Sequence, residues 1–322
     1  MMFRPLCVFA TLLIVLSFQA AAETTYPTKP VRIVVPFGPG GIADITTRVA
    51  ADKLSQKLGQ RFYVENQPGA GGITAARAVI SAPADGYTLT LLTNGTAASV
   101  SLFNKLPFDP VKDFVPISSL GYFDFIFATN AESGVKSLAE FIASAKAKPG
   151  TLNVGTINVG STQNLSAELF KTEAGIDFQI VPYRSTPDLL VSLMQGNVTL
   201  AIDGYSSMKG NLAEGKMRAL ATTGAARSQA TPDVSTAREA GVGNYDVVSW
   251  NALFARSGTP EEIVKTLNGA LQEILAESDV KKQLLDLGIE ARASAPEQIA
   301  QRLSSDIVKW RGVIERAGVA KQ

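Results

Sequence analysis

The sequence predicts an α/β protein with two lobes, each built on a mainly parallel β-sheet flanked by helices. Short apolar runs alternate with segments of helical period along most of the chain, and this alternation is typical of βαβ units. The 322 residues exceed what one hydrophobic core usually holds. With 46% hydrophobic and only 18% charged residues, the composition suits strands that are buried on both faces.

Residues 1–22 have the order of a secretory signal peptide. Arg4 supplies a positive charge, an apolar run covers residues 6–18, and small residues follow at positions 20–22. The run spans about a dozen residues, whereas a transmembrane helix needs roughly 20. We therefore expect cleavage after Ala22 and secretion, with an uncleaved N-terminal anchor as the alternative.

The chain left after cleavage would contain no histidine and no cysteine, because the single cysteine is Cys7. Removing Arg4 from the 30 basic residues leaves 29, against 29 acidic residues, so the net charge is zero. Nucleic-acid-binding proteins usually carry a basic excess. Zinc sites, iron sites and serine- or cysteine-histidine catalytic systems need the missing side chains. We expect no nucleic-acid partner, no metal, no cofactor, no disulfide and no later membrane span, while catalysis by carboxylates stays open.

The first element is expected to be a buried strand at residues 31–37, followed by a Gly-rich turn and a helix over residues 42–58. A second strand is expected at residues 87–92. Residues 106–116 are irregular in sequence and are expected to precede a crossover between the lobes. Further strands are expected at residues 123–129, 152–156, 178–183, 198–203 and 217–222, and helices near residues 138–146, 163–172 and 187–195.

The C-terminal third indicates two helices that cover a lobe begun much earlier in the chain. Thr259 is a capping residue before Pro260 and two acids, and apolar residues then follow at helical spacing. Ser294 and Glu297 have the spacing of a capping box, and apolar residues continue on one face to Trp310.

A Gly-rich loop at residues 36–44 joins the first strand to the first helix. Glycines let the backbone approach a ligand, and the first N–H groups of a helix lack internal partners, so this loop can hold an anion. A tight turn without a ligand is the alternative. Asp44 can equally be a first-turn acid that supports the helix dipole. Its charge would repel a carboxylate, so a ligand contact by Asp44 requires an amino or hydroxyl group on the ligand.

A second strand-to-helix loop, at residues 158–164, offers hydroxyls, amides and helix N-terminal N–H groups. Ordinary N-capping by Ser161 or Thr162 is the alternative, and both roles can hold at once. Open α/β sheets bind ligands beyond the carboxyl ends of their strands. The two loops together therefore predict a cleft with anion donors on both walls.

Polar residues at three more strand ends could line the same cleft. A polar turn at residues 93–96 is the alternative for the first of them, and a surface position is the alternative for Arg184, the one cation in these turns. Trp250 is expected to pack in the core or at a hinge. The candidates from these strand ends are Asn94, Thr96, Tyr183, Arg184 and Asp203.

Short motifs in a consistent order extend over nearly all of the expected mature chain. They are Pro36-Phe37 with Gly40-Gly41 and Asp44, Glu65-Asn66 with the Gly-rich residues 69–72, residues 83–89, residues 106–109 with residues 113–117, Gly160-Ser161, Pro182-Tyr183-Arg184, and residues 219–221 with Arg227. In this order and spacing they resemble the tripartite tricarboxylate transporter receptor family, also called the Bug family of periplasmic binding proteins.

The resemblance implies a type II periplasmic-binding fold, the Venus flytrap, which closes around a small carboxylate such as a dicarboxylate, an aromatic acid or an amino acid. It implies a monomeric receptor in the periplasm that delivers its ligand to integral membrane transporter subunits. We expect lobe 1 at residues 23–121 and 252–322, and lobe 2 at residues 122–251. The implied ligand residues are Phe37, Gly38, Gly41 and Asp44 on lobe 1, and Gly160, Ser161, Thr162, Gln163 and Asn164 on lobe 2.

The sequence also departs from the pattern of that family. Asn164 stands where histidine is frequent, and Ser185 stands where glycine is common. Asn251 and Ala252 replace the usual aromatic residue and glycine, and Arg256 replaces a usual proline. These positions lie in or near the expected cleft, so the resemblance does not identify the ligand.

Two other functions stay open from sequence alone. A periplasmic sensor that presents a carboxylate to a two-component signalling receptor would need the same fold and pocket. A carboxylate-dependent enzyme is the other alternative, although no pair of acids stands out. Residues 38–41 have neither dinucleotide spacing nor the ending of a phosphate loop.

Overall fold

A computed structural model of the protein describes residues 26–316 and 318–322; the expected signal peptide at residues 1–22 lies outside the described residues. The strands are β1 (Val31–Val35), β2 (Phe62–Asn66), β3 (Thr88–Thr93), β4 (Phe114–Asn130), β5 (Asn153–Ile157), β6 (Gln179–Tyr183), β7 (Leu200–Gly204), β8 (Met217–Thr222), β9 (Val248–Arg256) and β10 (Glu290–Ala291). The helices are α1 (Ile42–Leu58), α2 (Ile73–Ile80), α3 (Asn94–Leu102), α4 (Leu138–Ala147), α5 (Thr162–Glu173), α6 (Thr186–Met194), α7 (Tyr205–Ala213), α8 (Glu261–Ile274), α9 (Ser278–Leu285) and α10 (Pro296–Arg316). None of these helices combines the length and the apolar character that a membrane crossing needs.

The strands form two sheets that share β4. In the first sheet β2, β1 and β3 are parallel, while β9 and β4 continue it antiparallel. In the second sheet β6, β5 and β7 are parallel, while β4 pairs antiparallel with both β7 and β8. We call the parts built on these sheets the first and the second lobe. The expected α/β fold is confirmed, and its sheets are mixed because the chain leaves the first lobe on β4 and returns on β9.

The crossover strand β4 is 17 residues long and belongs to both sheets. Its residues 114–124 pair with β9, and its residues 125–130 pair with β7 and β8. The strand expected at residues 123–129 is therefore only the second part of β4. The irregular segment expected at residues 106–116 ends inside the first part of β4. Pro116 makes this part unrecognisable as a strand from the sequence, because proline is rare inside sheets.

Most other expectations are confirmed to within a few residues, but no pattern in the sequence predicted β2, β9, β10, α2, α3, α7 or α9. Residues 93–96, for which a polar turn is the alternative interpretation, contain the start of α3, whose residues are small and almost all buried. Strand β9 is likewise buried along nearly its whole length. A segment buried on every side has no polar face, so its sequence shows no period.

Two of the expected helix starts are different in the structure. Helix α8 begins after Pro260, no side chain caps it, and the Thr259 hydroxyl donates to the Arg256 carbonyl at 2.8 Å. Before α10, the Ser294 hydroxyl accepts from the Ser119 N–H at 3.0 Å, so Ser294 and Glu297 form no capping box. In both places a contact with the neighbouring β4 or β9 segment competes with local capping.

Two buried tryptophans fasten α10 to the first lobe. Trp250 of β9 donates from Nε1 to Oδ2 of Asp306 at 2.7 Å, and Trp310 donates to Oδ1 of Asn94. The expectation that Trp250 packs in the core is confirmed. Helix α10 thereby covers the start of α3, which lies beside the junction of the two lobes.

Aromatic side chains fill the core of the second lobe around α5. Phe170 contacts four other rings with centroid separations of 4.9–6.1 Å. These rings belong to Phe127, Phe141, Phe178 and Tyr245. Loss of the central ring would leave a cavity that its neighbours cannot fill.

Phe170→Ala is expected to lower the free energy of unfolding by about 3–5 kcal/mol, measured by urea-induced unfolding followed by circular dichroism. Val308→Ala, at a side chain that is 67% exposed, is the control and should change that free energy by less than about 0.5 kcal/mol. Equal effects of the two substitutions would contradict the placement of Phe170 in the core.

Candidate functional site

A cavity with about 390 Å³ of empty space, its opening to solvent included, lies where the two lobes meet. None of the described residues that line it is charged. The lining residues are Phe37, Gly38, Gly41, Ile42, Ala43, Thr93, Phe123, Phe125, Ile157, Thr162, Gln163, Ser185, Thr186, Ser249 and Asn251.

The first-lobe wall of the cavity is the start of α1. Gly41 is the N-cap residue with extended backbone angles, and no side chain accepts a hydrogen bond there. Ile42 and Ala43, the first two helical residues, are buried and line the cavity. The first N–H groups of a helix have no intrahelical partner. The positive end of the α1 dipole and its free donors therefore lie at the cavity wall.

The second-lobe wall is the start of α5. Ser161 caps this helix, because its hydroxyl accepts from the Asn164 N–H at 3.1 Å. The expected N-capping is thus confirmed, and the next residues, Thr162 and Gln163, line the cavity. Gly160 has a φ of +82°, which favours glycine, and its N–H donates to Oδ1 of Asn164 at 3.2 Å. Asn164 therefore stabilises the turn through this hydrogen bond.

The two lobes contact each other closely around this cavity. A Cβ atom on Gly38 would lie 2.8 Å from Cβ of Ser185, and one on Gly41 would lie 2.9 Å from Oγ1 of Thr186. The Ser207 hydroxyl donates to the Gly40 carbonyl at 3.1 Å. The structure is therefore a closed arrangement, in which the two predicted loops share one cavity.

Asp203 lies directly behind the cavity wall rather than in it. Its buried carboxylate accepts from Thr186 Oγ1 at 2.6 Å and from Gln163 Nε2 at 3.3 Å. Burial raises the pKa of Asp203 above its ordinary value, although these hydrogen bonds and one from the Gly204 N–H oppose the shift. Asp203 thus accepts hydrogen bonds from two side chains that line the cavity and does not line it itself.

Asp44 also lies outside the lining, in the first turn of α1. Its carboxylate accepts from the Gly40 N–H at 3.0 Å and from Asn66 Nδ2 at 2.9 Å. The guanidinium of Arg48 completes the set at 2.9–3.0 Å. Burial alone would raise the pKa of Asp44, but the hydrogen bonds from Arg48, Gly40 and Asn66 outweigh it and lower the pKa. Asp44 is saturated by protein donors and holds the loop at residues 36–44 in shape.

The remaining predicted residues do not line this cavity. Gly160, Ser161 and Thr96 line a smaller neighbouring cavity of about 230 Å³, which shares Phe37 and Thr93 with the larger one. Asn94 is held by Trp310, and Asn164 by its own turn. Tyr183 pairs with Ser192, and Arg184 is exposed. Of the predicted set, the structure brings together Phe37, Gly38, Gly41, Thr162 and Gln163.

Sequence reasoning missed the part of the site that comes from the central strands. Ser249 and Asn251 lie two residues apart on β9 and therefore share a face, and Thr93 ends the adjacent β3. Recognising β9 as a strand would have predicted this pair. Ser185 and Asn251 are the two departures from the family pattern that reach the cavity.

Residues 26–316 and 318–322 contain no group of three or more histidine, cysteine, aspartate or glutamate side chains placed to hold an ion. The groups that the cavity offers to a ligand are backbone donors, hydroxyls and two amides beside an apolar wall.

Known proteins with related sequences span almost the whole chain. Residues 46–319 match the family described as the tripartite tricarboxylate transporter family receptor. BugT of Bordetella pertussis is 32% identical over 296 residues, which cover 91% of each chain. A protein from the gbd 5′ region of Cupriavidus necator is 33% identical over 303 residues, covering 94% of this chain and 91% of its own.

Solved structures of similar proteins share the fold. An R. palustris protein solved with adipate has a TM-score of 0.89 and 35% identity, covering 92% of this chain and all of its own. MatC from Rhodopseudomonas palustris with bound malate has a TM-score of 0.85 and 36% identity, covering 90% and 100%. The periplasmic binding protein BugD has a TM-score of 0.88 at 27% identity, covering 92% and 100%.

Asp44→Asn is expected to lower the free energy of unfolding at pH 7 by about 1–3 kcal/mol, because charge-assisted hydrogen bonds are lost. The pKa of Asp44 is lowered in the folded state. Its stabilising contribution is therefore complete above the ordinary pKa of 3.8 and is lost as the pH falls below that value. Urea unfolding of both proteins at pH 7 and at successively lower pH should show the difference shrinking. A difference that stays constant below pH 3.8 would contradict the assignment.

Proposed function

This chain belongs to the tripartite tricarboxylate transporter receptor family, and on that premise we propose that it captures a small carboxylate between its lobes and delivers it to a membrane transporter. The observation that carries the proposal is the shared cavity of the loops that begin α1 and α5. The related structures solved with adipate and with malate support a carboxylate ligand. We extend the proposal to three classes of ligand: dicarboxylates, aromatic acids and amino acids.

The carboxylate is held by uncharged groups. The uncapped start of α1 supplies backbone N–H donors and a positive dipole end, and the start of α5 supplies Thr162 and Gln163. Such donors are worth more in a closed cavity than at a surface, because water does not compete there. Several of them together reach the roughly −8 kcal/mol that micromolar affinity requires.

Closure provides the signal for delivery. Donors on both lobes reach one ligand only when the lobes meet, so the ligand binds the closed state better and shifts the population toward it. The boundaries we propose are residues 23–121 and 252–322 for lobe 1 and residues 122–251 for lobe 2. With them, the chain crosses between the lobes inside β4, the strand that belongs to both sheets, and inside β9, which pairs with β3 and β4 in the first sheet.

We propose the periplasm as the compartment, reached through the signal peptide at residues 1–22, and a monomer as the working form. We also propose that capture is not followed by chemistry. The described lining residues include no histidine, cysteine, lysine or carboxylate that could act as a nucleophile or a general base. The ligand should therefore leave the protein unchanged.

The direct test is isothermal calorimetry with the chain from Glu23 onward against adipate, malate, succinate, benzoate and glutamate. We expect at least one acid to bind with a Kd of about 10 μM or tighter, and its methyl ester to bind at least about tenfold more weakly. A folded protein that binds none of these acids, or that binds acid and ester alike, would contradict the proposal.

Gly41→Val and Gly160→Val should each weaken binding of that acid at least about tenfold. A side chain on Gly41 would contact Thr186. One on Gly160 would contact Ser99 and the ring of Phe103, and valine would be strained there because the backbone φ is positive. The matched control is Gly243→Val, because a Cβ atom there has no neighbour within 4 Å. Unchanged affinity in both test variants, with circular dichroism showing intact folds, would count against the two loops as the binding site.

A further inference from the structure

Asn251 occupies a central and unusual position in the ligand cavity. It lies on β9 between two strands, opposite Thr93 of β3 and Gly121 of β4. Its neighbour Trp250 points away and donates to Asp306 of α10. Asn251 therefore projects to the other face of the sheet, where it lines the cavity.

The carboxamide of Asn251 has no hydrogen-bond partner in the protein. The residue is 1% exposed, and both Oδ1 and Nδ2 are buried without a partner. A buried polar group without a partner is unfavourable, and native proteins rarely leave both atoms of an amide in this state. The closed cavity therefore contains the Nδ2 donor and the Oδ1 acceptor of Asn251 side by side, and a group from outside the chain can bind both.

The surroundings of Asn251 decide which group fits. Ser249 shares its face of β9, and the Ser249 hydroxyl already donates to Oγ1 of Thr162 at 3.3 Å. No described lining residue is cationic. A carboxylate next to Asn251 would satisfy Nδ2 but would bring a second negative charge against Oδ1, with no cation to offset it. A hydroxyl or a primary amide both donates and accepts, so it satisfies both atoms.

We propose that Asn251 selects a ligand that carries, besides its carboxylate, an uncharged group that both donates and accepts a hydrogen bond, namely a hydroxyl or a primary carboxamide. This inference rests on the proposed function, because the carboxylate itself is held at the starts of α1 and α5. The apolar side chains of Phe123, Phe125 and Ile157 line the cavity as well and suit the hydrocarbon part of such a ligand. Asn251 is then a specificity residue, and the loops supply the affinity for the acid.

The test compares matched acids by calorimetry. The four-carbon set is butanoate, butanoate with a hydroxyl at carbon 2, 3 or 4, succinamate and succinate. The six-carbon set is hexanoate, 6-hydroxyhexanoate, adipamate and adipate. We expect one hydroxy or amide acid to bind the wild-type chain at least about tenfold more tightly than its plain alkyl acid and its dicarboxylate.

Asn251→Leu keeps the branched shape of the side chain, with a somewhat larger volume, and removes both hydrogen-bonding atoms. It should reduce the preference for the hydroxy or amide acid to less than about twofold, with affinity for the plain acid unchanged or improved. Asn251→Ala is the second variant, should leucine disturb the packing of β9. Thr222→Val is the matched control, because the Thr222 hydroxyl is also buried without a partner but does not line the cavity; it should keep the wild-type preference.

The outcomes separate this inference from the function on which it rests. If wild-type protein binds plain acids or dicarboxylates best, or if Asn251→Leu weakens every acid by the same factor, the inference is wrong and carboxylate capture stands. If no acid binds the folded wild-type chain, both are overturned. If Thr222→Val loses the preference as fully as Asn251→Leu does, the effect is not local to the cavity and the inference is wrong.

Discussion

A helix start that is buried and uncapped is the constraint on which this structure depends. The first N–H groups of α1 have no intrahelical partner, Gly41 offers no side chain to accept from them, and the residues around them are buried. Unpartnered backbone donors in a buried place are rare in native proteins. The cavity has no charged lining residue, and we propose that an anionic ligand completes this helix start.

The same constraint explains why the protein has two lobes and why glycines lie between them. The start of α1 is enclosed only when residues of the second lobe cover it, and Gly38 and Gly41 let Ser185 and Thr186 approach within contact distance. The carboxylates nearest the cavity lie behind the residues that line it. Asp44 and Asp203 do not enter the cavity; they hold the loop and orient Thr186 and Gln163. Placing them behind the wall keeps negative charge away from an acidic ligand.

The sequence predicts the peripheral half of this site better than the central half. The loops before α1 and α5 are recognisable because glycines and capping residues follow an apolar strand, a local pattern. Ser249 and Asn251 are not recognisable in this way. They lie on β9, a strand buried on both faces and paired with segments more than a hundred residues away, so no local period marks it. Asp44 shows a further limit, because Asn66, which donates to it, lies 22 residues away along the chain and is brought to it only by the fold.

The most direct measurement of the central claim is the distance between the lobes with and without an acid. Cysteines replacing Lys281 and Glu214 would carry spin labels on exposed positions of the first and second lobe, and the chain from Glu23 has no other cysteine. Pulsed electron paramagnetic resonance should show a shorter, narrower distance distribution after addition of the bound acid, and no change with its methyl ester. An unchanged distribution with the acid, or the same shift with the ester, would contradict the account that an anion on backbone donors holds the lobes closed.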